Sequence, residues 1–510
     1  MTGAELFVER LKDHGVRWVS TLCGHGLDPL FDACRRAGLP LIDTRNEQAA
    51  SYMADAWGKL TRAPGVVAAS SGVAHANALA GVVNAYFDGS PMLLVTGAHA
   101  VATMGHGHFQ DLDQVALAAP VCKSARLIDR PETIAPLLEE ALLAAVAPRP
   151  GPVHLTFPMD VQRAEAPSGE RIARRLREPQ SRSAAPLYTL PASYSRPLLI
   201  AGSGVFYAQK EQALARFCEK SAVPVVTPIW DRGCVNQAIP QFMGVIGAAS
   251  GGPRLLPDAD LILLCGAAAD YRVGYLQAPA IHPAAHVVKI EPQHLETLEL
   301  APQPAWLAEA QRRRDEFRRA FASVPRQRAG IHALDIIEAL RGVLTEETVL
   351  LIDGGSIGQW CHQLLCDRYP GHWLTCGASG TVGWGLGGAM AARLRFPDRP
   401  VILVSGDGAA TFTIGELECA VRQRLPFVLV VADDQAWGIT RTGHEREFGQ
   451  PIASELGPID FATLAESLGA RGVRVREAAQ IGQEIRKGIA AGRATLIHVP
   501  IKGGNNLPQL

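Results

Sequence analysis

The sequence predicts an α/β protein of three domains, each a mainly parallel sheet flanked by helices. Three observations carry that expectation. At 510 residues the chain is too long for one ordinary core. Its composition, 47% hydrophobic and 19% charged with 50 glycines, is that of a packed globular enzyme. Short apolar runs alternate with helical patterns from end to end, as βαβ units require.

The first domain, 1–165, opens on "MTGAELFVERLKDHG", whose apolar residues recur at helical spacing, unlike a secretory signal. Its strands are expected at "GVRWVSTL", "GVVAASSG", "PMLLVTGA" and "GPVHLTFP". Residues 166–195, rich in Arg, Ser and Pro, read as a linker into a second domain, 190–305. There the strands are "PLLIAGSG", "VPVVTP", "DADLILLCGAA" and "AHVVKIEP". A charged helix containing "EAQRRRDEFRRAF" follows, and its Arg run reads as a solvated face because Asp315 and Glu316 interrupt it. The third domain, 331–510, repeats the design of the first, with "TVLLIDGG", "PVILVSGDG", "PFVLVVADD" and "ATLIHVP". A net charge of −1 makes no electrostatic case for nucleic acid or an anionic membrane, and no apolar run is long enough to span a bilayer. Ten cysteines without a CxxC pair suggest reduced thiols and a cytoplasmic protein.

Two acidic clusters stand out in apolar surroundings: Asp407 between two glycines, and Asp433–Asp434 after "PFVLVVA". In open parallel sheets ligands bind where strands end and helices begin. A helix N-terminus with small residues makes a phosphate site, but a carboxylate there would repel the phosphate. A divalent cation resolves the conflict, since Mg²⁺ binds one or two carboxylates plus phosphate oxygens. Asp407 and Asp434, at the ends of consecutive parallel strands, would share one coordination sphere. The spacing therefore predicts a Mg²⁺–diphosphate site.

A GDG, a fixed interval, an acidic or amide pair and then "QAWG" resembles the motif of thiamine diphosphate (ThDP) enzymes. Further segments, in the same order along nearly the whole chain, resemble acetolactate synthases, benzaldehyde lyases and hydroxyacyl-CoA lyases. They are "IDTRNEQAASYMADAWGKLTRAPGV", "SSGVAHANALAG", "HGHFQDLDQVALAAPVCK", "DGGSIGQW" and "GASGTVGWGLGGAMAA". The family pattern usually ends in two Asn where this chain has Asp433–Asp434. An Asp at 434 keeps an oxygen ligand, and Asp433 has no role the pattern supplies.

The resemblance implies that Asp407, Asp434 and the carbonyl of Ala436 hold Mg²⁺. It puts Gly406, Gly408 and Ala409 against the diphosphate, with Ser356 as a weaker carry-over. Glu47 would be the glutamate that hydrogen-bonds the aminopyrimidine ring, and Gly380 would offer that ring a carbonyl. Val382 would prop the cofactor in its bent form, and Gly26 and Asn77 complete the cofactor set. Each site would lie between chains, so a dimer is the minimum and a homotetramer is expected. FAD is not expected, because the middle domain offers only a lone GxG and is short after "VVKIEP".

Around the reactive carbon, Gln110, His25 and His108 are the catalytic candidates, since histidine suits proton transfer near neutral pH. His75, His106, Phe109, Trp437 and His444 are weaker candidates for contact with a small carbonyl substrate. The activity this implies is cleavage or formation of a C–C bond beside a carbonyl. Alternatives are a 2-hydroxyacyl-CoA lyase, an oxalyl-CoA-type decarboxylase, and a non-catalytic ThDP-binding subunit. The glycine-rich tail "IKGGNNLPQL" is a candidate cover for an otherwise open pocket.

Overall fold

The computed structural model describes residues 1–167, 188–247, 252–326 and 330–502. Most of the expected linker and the end of the glycine-rich tail lie outside these residues. Three parallel sheets are present. The first contains β1 Val19–Leu22, β2 Leu41–Asp43, β3 Gly65–Ala69, β4 Met92–Ala98, β5 Ala125–Leu127 and β6 Pro152–Pro158, in the order β2-β1-β3-β4-β6-β5. The second contains β7 Pro197–Ala201, β8 Val225–Pro228, β9 Phe242–Ile246, β10 Leu261–Cys265 and β11 His286–Ile290, in the order β11-β10-β7-β8-β9. The third contains β12 Val349–Ile352, β13 His372–Thr375, β14 Val401–Gly406, β15 Val428–Asp433, β16 Arg471–Arg474 and β17 Thr495–Pro500, in the order β13-β12-β14-β15-β17-β16.

The first and third sheets thus share one topology. In each, the chain leaves the central strand to one side and returns on the other. This opens a crevice between the carboxyl ends of β1 and β3, and another between those of β12 and β14. The central strands are continuous apolar runs, "GVVAA" and "VILVSG", because helices cover both faces. The Arg-rich helix Pro304–Ala322 is a solvated face as expected, with Arg312 bonded to Glu309 and Glu316 of its own helix.

The outer domains share a core. Helix α1, Glu47–Thr61, packs between α2, Val73–Asp88, and α4, Trp384–Arg395, of the third domain. Tyr52, Met53 and Trp57 of α1 join Trp384, Met390 and Leu403 in one buried cluster. Each such side chain contributes roughly 1.5–3 kcal/mol by leaving water. Small residues set the approach: a Cβ on Gly387 would sit 2.8 Å from the Ala49 carbonyl, and one on Gly81 2.2 Å from the Ser51 Cβ. Buried polar bonds fix the register. Asp55 accepts from Trp384 Nε1 (2.8 Å), Asn84 Nδ2 (2.8 Å) and Lys59 (2.9 Å).

Candidate active site

In the third domain, Asp353-Gly354-Gly355 follows β12 and Gly406-Asp407 ends β14. The two segments meet backbone to backbone: a Cβ on Gly406 would lie 3.3 Å from the Gly354 carbonyl and from the Gly355 Cα. Gly355, at φ +112°, turns the chain into α3, Ser356–Leu364, a conformation that excludes other residues. Gly406 caps a short helix, α5, Asp407–Phe412. Two short helices follow GDG. Thr413 leaves helical geometry, its hydroxyl donating to the Gly383 carbonyl, and a second helix runs over Glu416–Arg422.

Asp407 is only 4% exposed and is hydrogen-bonded to Asp434 just past the end of β15. Burial, reinforced by the Asp434 and Asp433 charges, pushes the Asp407 carboxyl up to about 8. Burial raises Asp434 too. Two carboxylates in one apolar place are compensated by a cation. Among the described residues no set of three or more His, Cys, Asp or Glu side chains gathers for a metal. The turn after β15 offers backbone. Gln435 stands at φ +52°, and Ala436 N–H donates to Asp434.

The surroundings suit a diphosphate. Ser356 Oγ is buried at the start of α3 with no hydrogen-bond partner, a hydroxyl placed to donate to an anion. Ala409 lies 3% exposed on α5, and Gly408 is covered by Trp437, whose ring a Cβ there would meet at 2.7 Å. Val382 rests on Gly354 and reaches toward Ala409, because a Cβ on Gly354 would overlap Val382 Cγ1. Gly380 turns the chain just before it at φ +70°. The residues present therefore fit ThDP with a divalent cation.

The first domain supplies a second crevice. Glu47 is the first residue of α1, N-capped by Asn46, and Asn77 of α2 donates to Glu47 Oε2 (3.1 Å). At the β1/β3 switch point Ser70 Oγ donates to the His25 carbonyl, and Gly26 backs onto Gly97, its carbonyl held by Gln162 (2.6 Å). Gln110, held at φ +58°, accepts from Ser71 Oγ (3.4 Å) and presses on Gly72. His25 and His108 are exposed at the same end, with His106 on the same loop and Phe109 70% exposed. His444 lies on α6, Gly438–Phe448, beside Phe448. The structure does not bring His75 to this surface. Its ring is fully buried against His154, and burial pulls it down to about 4, so it stays neutral in the core.

Three residues, and the role of a fourth already singled out, Asp433, escaped the sequence reading. His99 lies between His25 (5.2 Å) and His108 (4.5 Å, stacked) and hydrogen-bonds the Phe109 carbonyl (2.7 Å), which ties the 104–110 loop to the end of β4. Asp353 accepts backbone N–H groups of Gly354 (2.8 Å) and Gly385 (3.0 Å), pinning the segment that carries Val382 to the crevice floor. Glu416, 1% exposed, takes the Arg45 N–H on both oxygens and so anchors the turn into Glu47. Asp433 finds its role in His498, whose Nε2 lies 2.7 Å from Oδ2. The DGG after an apolar strand was a usable signal for Asp353. The other three depend on long-range contacts.

Known proteins fit this geometry. A family model described as "Thiamine pyrophosphate enzyme, N-terminal TPP binding domain" matches residues 1–117. The corresponding central domain matches 189–303, and the C-terminal TPP binding domain 353–499. A "Probable acetolactate synthase" of Mycobacterium bovis is 28% identical over 536 residues, covering 98% of this chain and 95% of that protein. A "2-hydroxyacyl-CoA lyase 2" of Danio rerio is 26% identical, covering 98% and 91%. A "Probable acetolactate synthase large subunit" of Methanocaldococcus jannaschii is also 26% identical, covering 100% and 93%. With all three domains matched in order, the chain belongs to the thiamine pyrophosphate enzyme family.

Proposed function

We propose that the protein cleaves or forms a C–C bond beside a carbonyl, using ThDP and Mg²⁺, on a 2-keto acid, 2-hydroxy ketone or aldehyde. The observation that carries this reading is the convergence at one switch point of the Asp407–Asp434 pair, the unpartnered Ser356 hydroxyl and the glycine-lined backbone. When bound, ThDP supplies an electron sink for a carbon next to a carbonyl. Asp407, Asp434 and the Ala436 carbonyl would hold the cation, and Ser356 would donate to the diphosphate. Glu47, oriented by Asn77, would hold a proton at Oε1 or Oε2 against the ring. His25, His108 and Gln110 would move or hold the proton of the substrate hydroxyl, with His99 keeping their loop in place.

The reading includes a homodimer at least, and a tetramer, with Glu47 serving a neighbouring chain's metal site. Support comes from Val73, Tyr86 and Phe87, apolar and 44–59% exposed on the same helix as Asn77. Among the described residues no helix is long and apolar enough to cross a membrane. A cytoplasmic location fits a chain whose ten cysteines are all free. The test is product analysis by NMR after incubation with ThDP, Mg²⁺ and pyruvate, with and without benzaldehyde. Acetolactate, acetoin or a mixed hydroxy ketone supports the proposal. Turnover of 2-hydroxyacyl-CoA alone moves the assignment to the lyase reading, which the second group of relatives supports.

A further inference from the structure

Away from the crevices, the three domains together enclose a cavity of about 480 Å³, a volume suited to a small organic ligand. It borders the carboxyl ends of β7 and β8 but the amino-terminal side of β14, opposite the Asp407 pair. Its wall carries five cationic side chains against two carboxylates, Asp88 and Glu211. Those carboxylates are already engaged, Asp88 with Lys59 and Glu211 with Arg62. Three arginines remain. Arg399 has one ion pair among the described residues, to the exposed Glu347 (3.1 Å), and its guanidinium lies 5.0 Å from the Phe396 ring centre. Arg395 is exposed, and its guanidinium rests 4.7 Å from the Phe396 ring centre without an ion-pair partner among the described residues.

Arg232 belongs to the wall itself. It is 1% exposed, donates to the backbone carbonyls of Val235, Cys366 and Arg368, lies 4.9–5.1 Å from the ring centres of Phe242, Tyr369 and Trp373, and leaves Nε without an acceptor among the described residues. A guanidinium stays protonated even when buried, and here carbonyls and rings hold it inside the wall, so the positive charge the cavity can offer a ligand is that of Arg395 and Arg399. The field of the group is felt nearby. His372, tilted against the Phe396 ring at 4.6 Å, is drawn down to about 4 by burial and by Arg399, Arg395 and Arg62.

We infer that this three-domain cavity binds the phosphate ester of a small metabolite, its phosphate between Arg395 and Arg399, which both lie over the Phe396 ring, and its body against Phe396 and Trp230. Arginine forks match phosphate oxygens, and the flanking rings suit a planar or apolar body. Occupancy reaches the cofactor crevice through Asp88. That carboxylate bonds Lys59 in the cavity wall and also accepts from Ala378 N (2.7 Å), two residues before Gly380.

The test uses the holoenzyme saturated with ThDP and Mg²⁺, so that the cofactor site cannot take the probe. Calorimetric titration with phenyl phosphate should show one site per chain, with inorganic phosphate weaker and phenol silent. The double variant R395E/R399E should weaken phenyl phosphate at least about tenfold, the loss expected for two charge-assisted contacts, with melting temperature and ThDP affinity unchanged. Should the double variant misfold, Arg395→Gln alone serves, because that side chain has no ion pair to lose. Silence from phenyl phosphate, unchanged binding to the folded variants, or tighter binding of citrate than of phenyl phosphate overturns the inference.

Discussion

Replacing Asp407 by Asn should change stability in two opposite directions. In the metal-free protein the Asp407 carboxyl is raised from 3.8 to about 8, first by burial and then by Asp434 and Asp433. Its folded-state pKa therefore exceeds its unfolded one. The associated stability is fully present at low pH and drains away as pH rises from 3.8 towards about 8. At about 1.4 kcal/mol per unit the full shift would cap the loss at about 6 kcal/mol, and sharing of one proton with Asp434 reduces it to about 1–3 kcal/mol. Asn keeps the shape and removes the charge, so the metal-free D407N protein should melt higher than wild type near pH 8 and match it near pH 5. With ThDP and Mg²⁺ at about a hundred times their dissociation constants, wild type should gain about 2.7 kcal/mol and D407N almost nothing. Calorimetric melting across pH, with and without cofactors, reads both effects. A D407N protein that loses stability with pH as wild type does, and still gains from ThDP and Mg²⁺, would refute the metal-site reasoning.

Three other expectations follow from the same geometry. Glu47→Gln should lower turnover at least about a hundredfold while ThDP still binds, because the residue acts on the proton rather than on affinity; intact turnover overturns its role. His498→Ala strips Asp433 of its 2.7 Å partner inside the core and should cost about 3 kcal/mol in urea unfolding, with weakened Mg²⁺ binding; an unaltered midpoint would count against the pair. Ser356→Ala removes a hydroxyl that bonds nothing in the fold, so urea stability should hold while ThDP affinity drops about tenfold by equilibrium dialysis.

The carboxylates at strand ends were legible because their signals are local. Glycines flank Asp407, an apolar run precedes Asp434, and both motifs can be read along the line. The doubled design of the outer domains was legible for the same reason, as two sets of apolar runs in one order. What pairs across the sheets was not. Asp433 meets His498 because β15 and β17 are neighbours with Val431 opposite His498, a register that no spacing of 65 residues announces. Glu416 reaches Arg45 across 371 residues, and only the docking of two domains brings them together. His75 misled for the opposite reason. A histidine beside Gly72 and Asn77 looks like part of a site, but helical rotation turns it inward to His154 while Asn77 turns outward. The break between the two helices after Asp407 falls at Thr413, whose hydroxyl finds a carbonyl in another segment.

The seam between α1 and Trp384–Arg395 has an evolutionary consequence. Glycine sits against a carbonyl there, and Asp55 is committed to three partners, so drift in either helix is penalised at once. The glutamate at the head of one helix and the valine just ahead of the other are therefore held on a chassis that tolerates little change. Novelty in substrate choice has to arise elsewhere, in the 104–113 loop and the stretch from Gln435 to Phe448, where side chains face solvent and turns carry positive φ. A laboratory selection for new carbonyl partners should accumulate its changes in those two segments and leave the seam untouched.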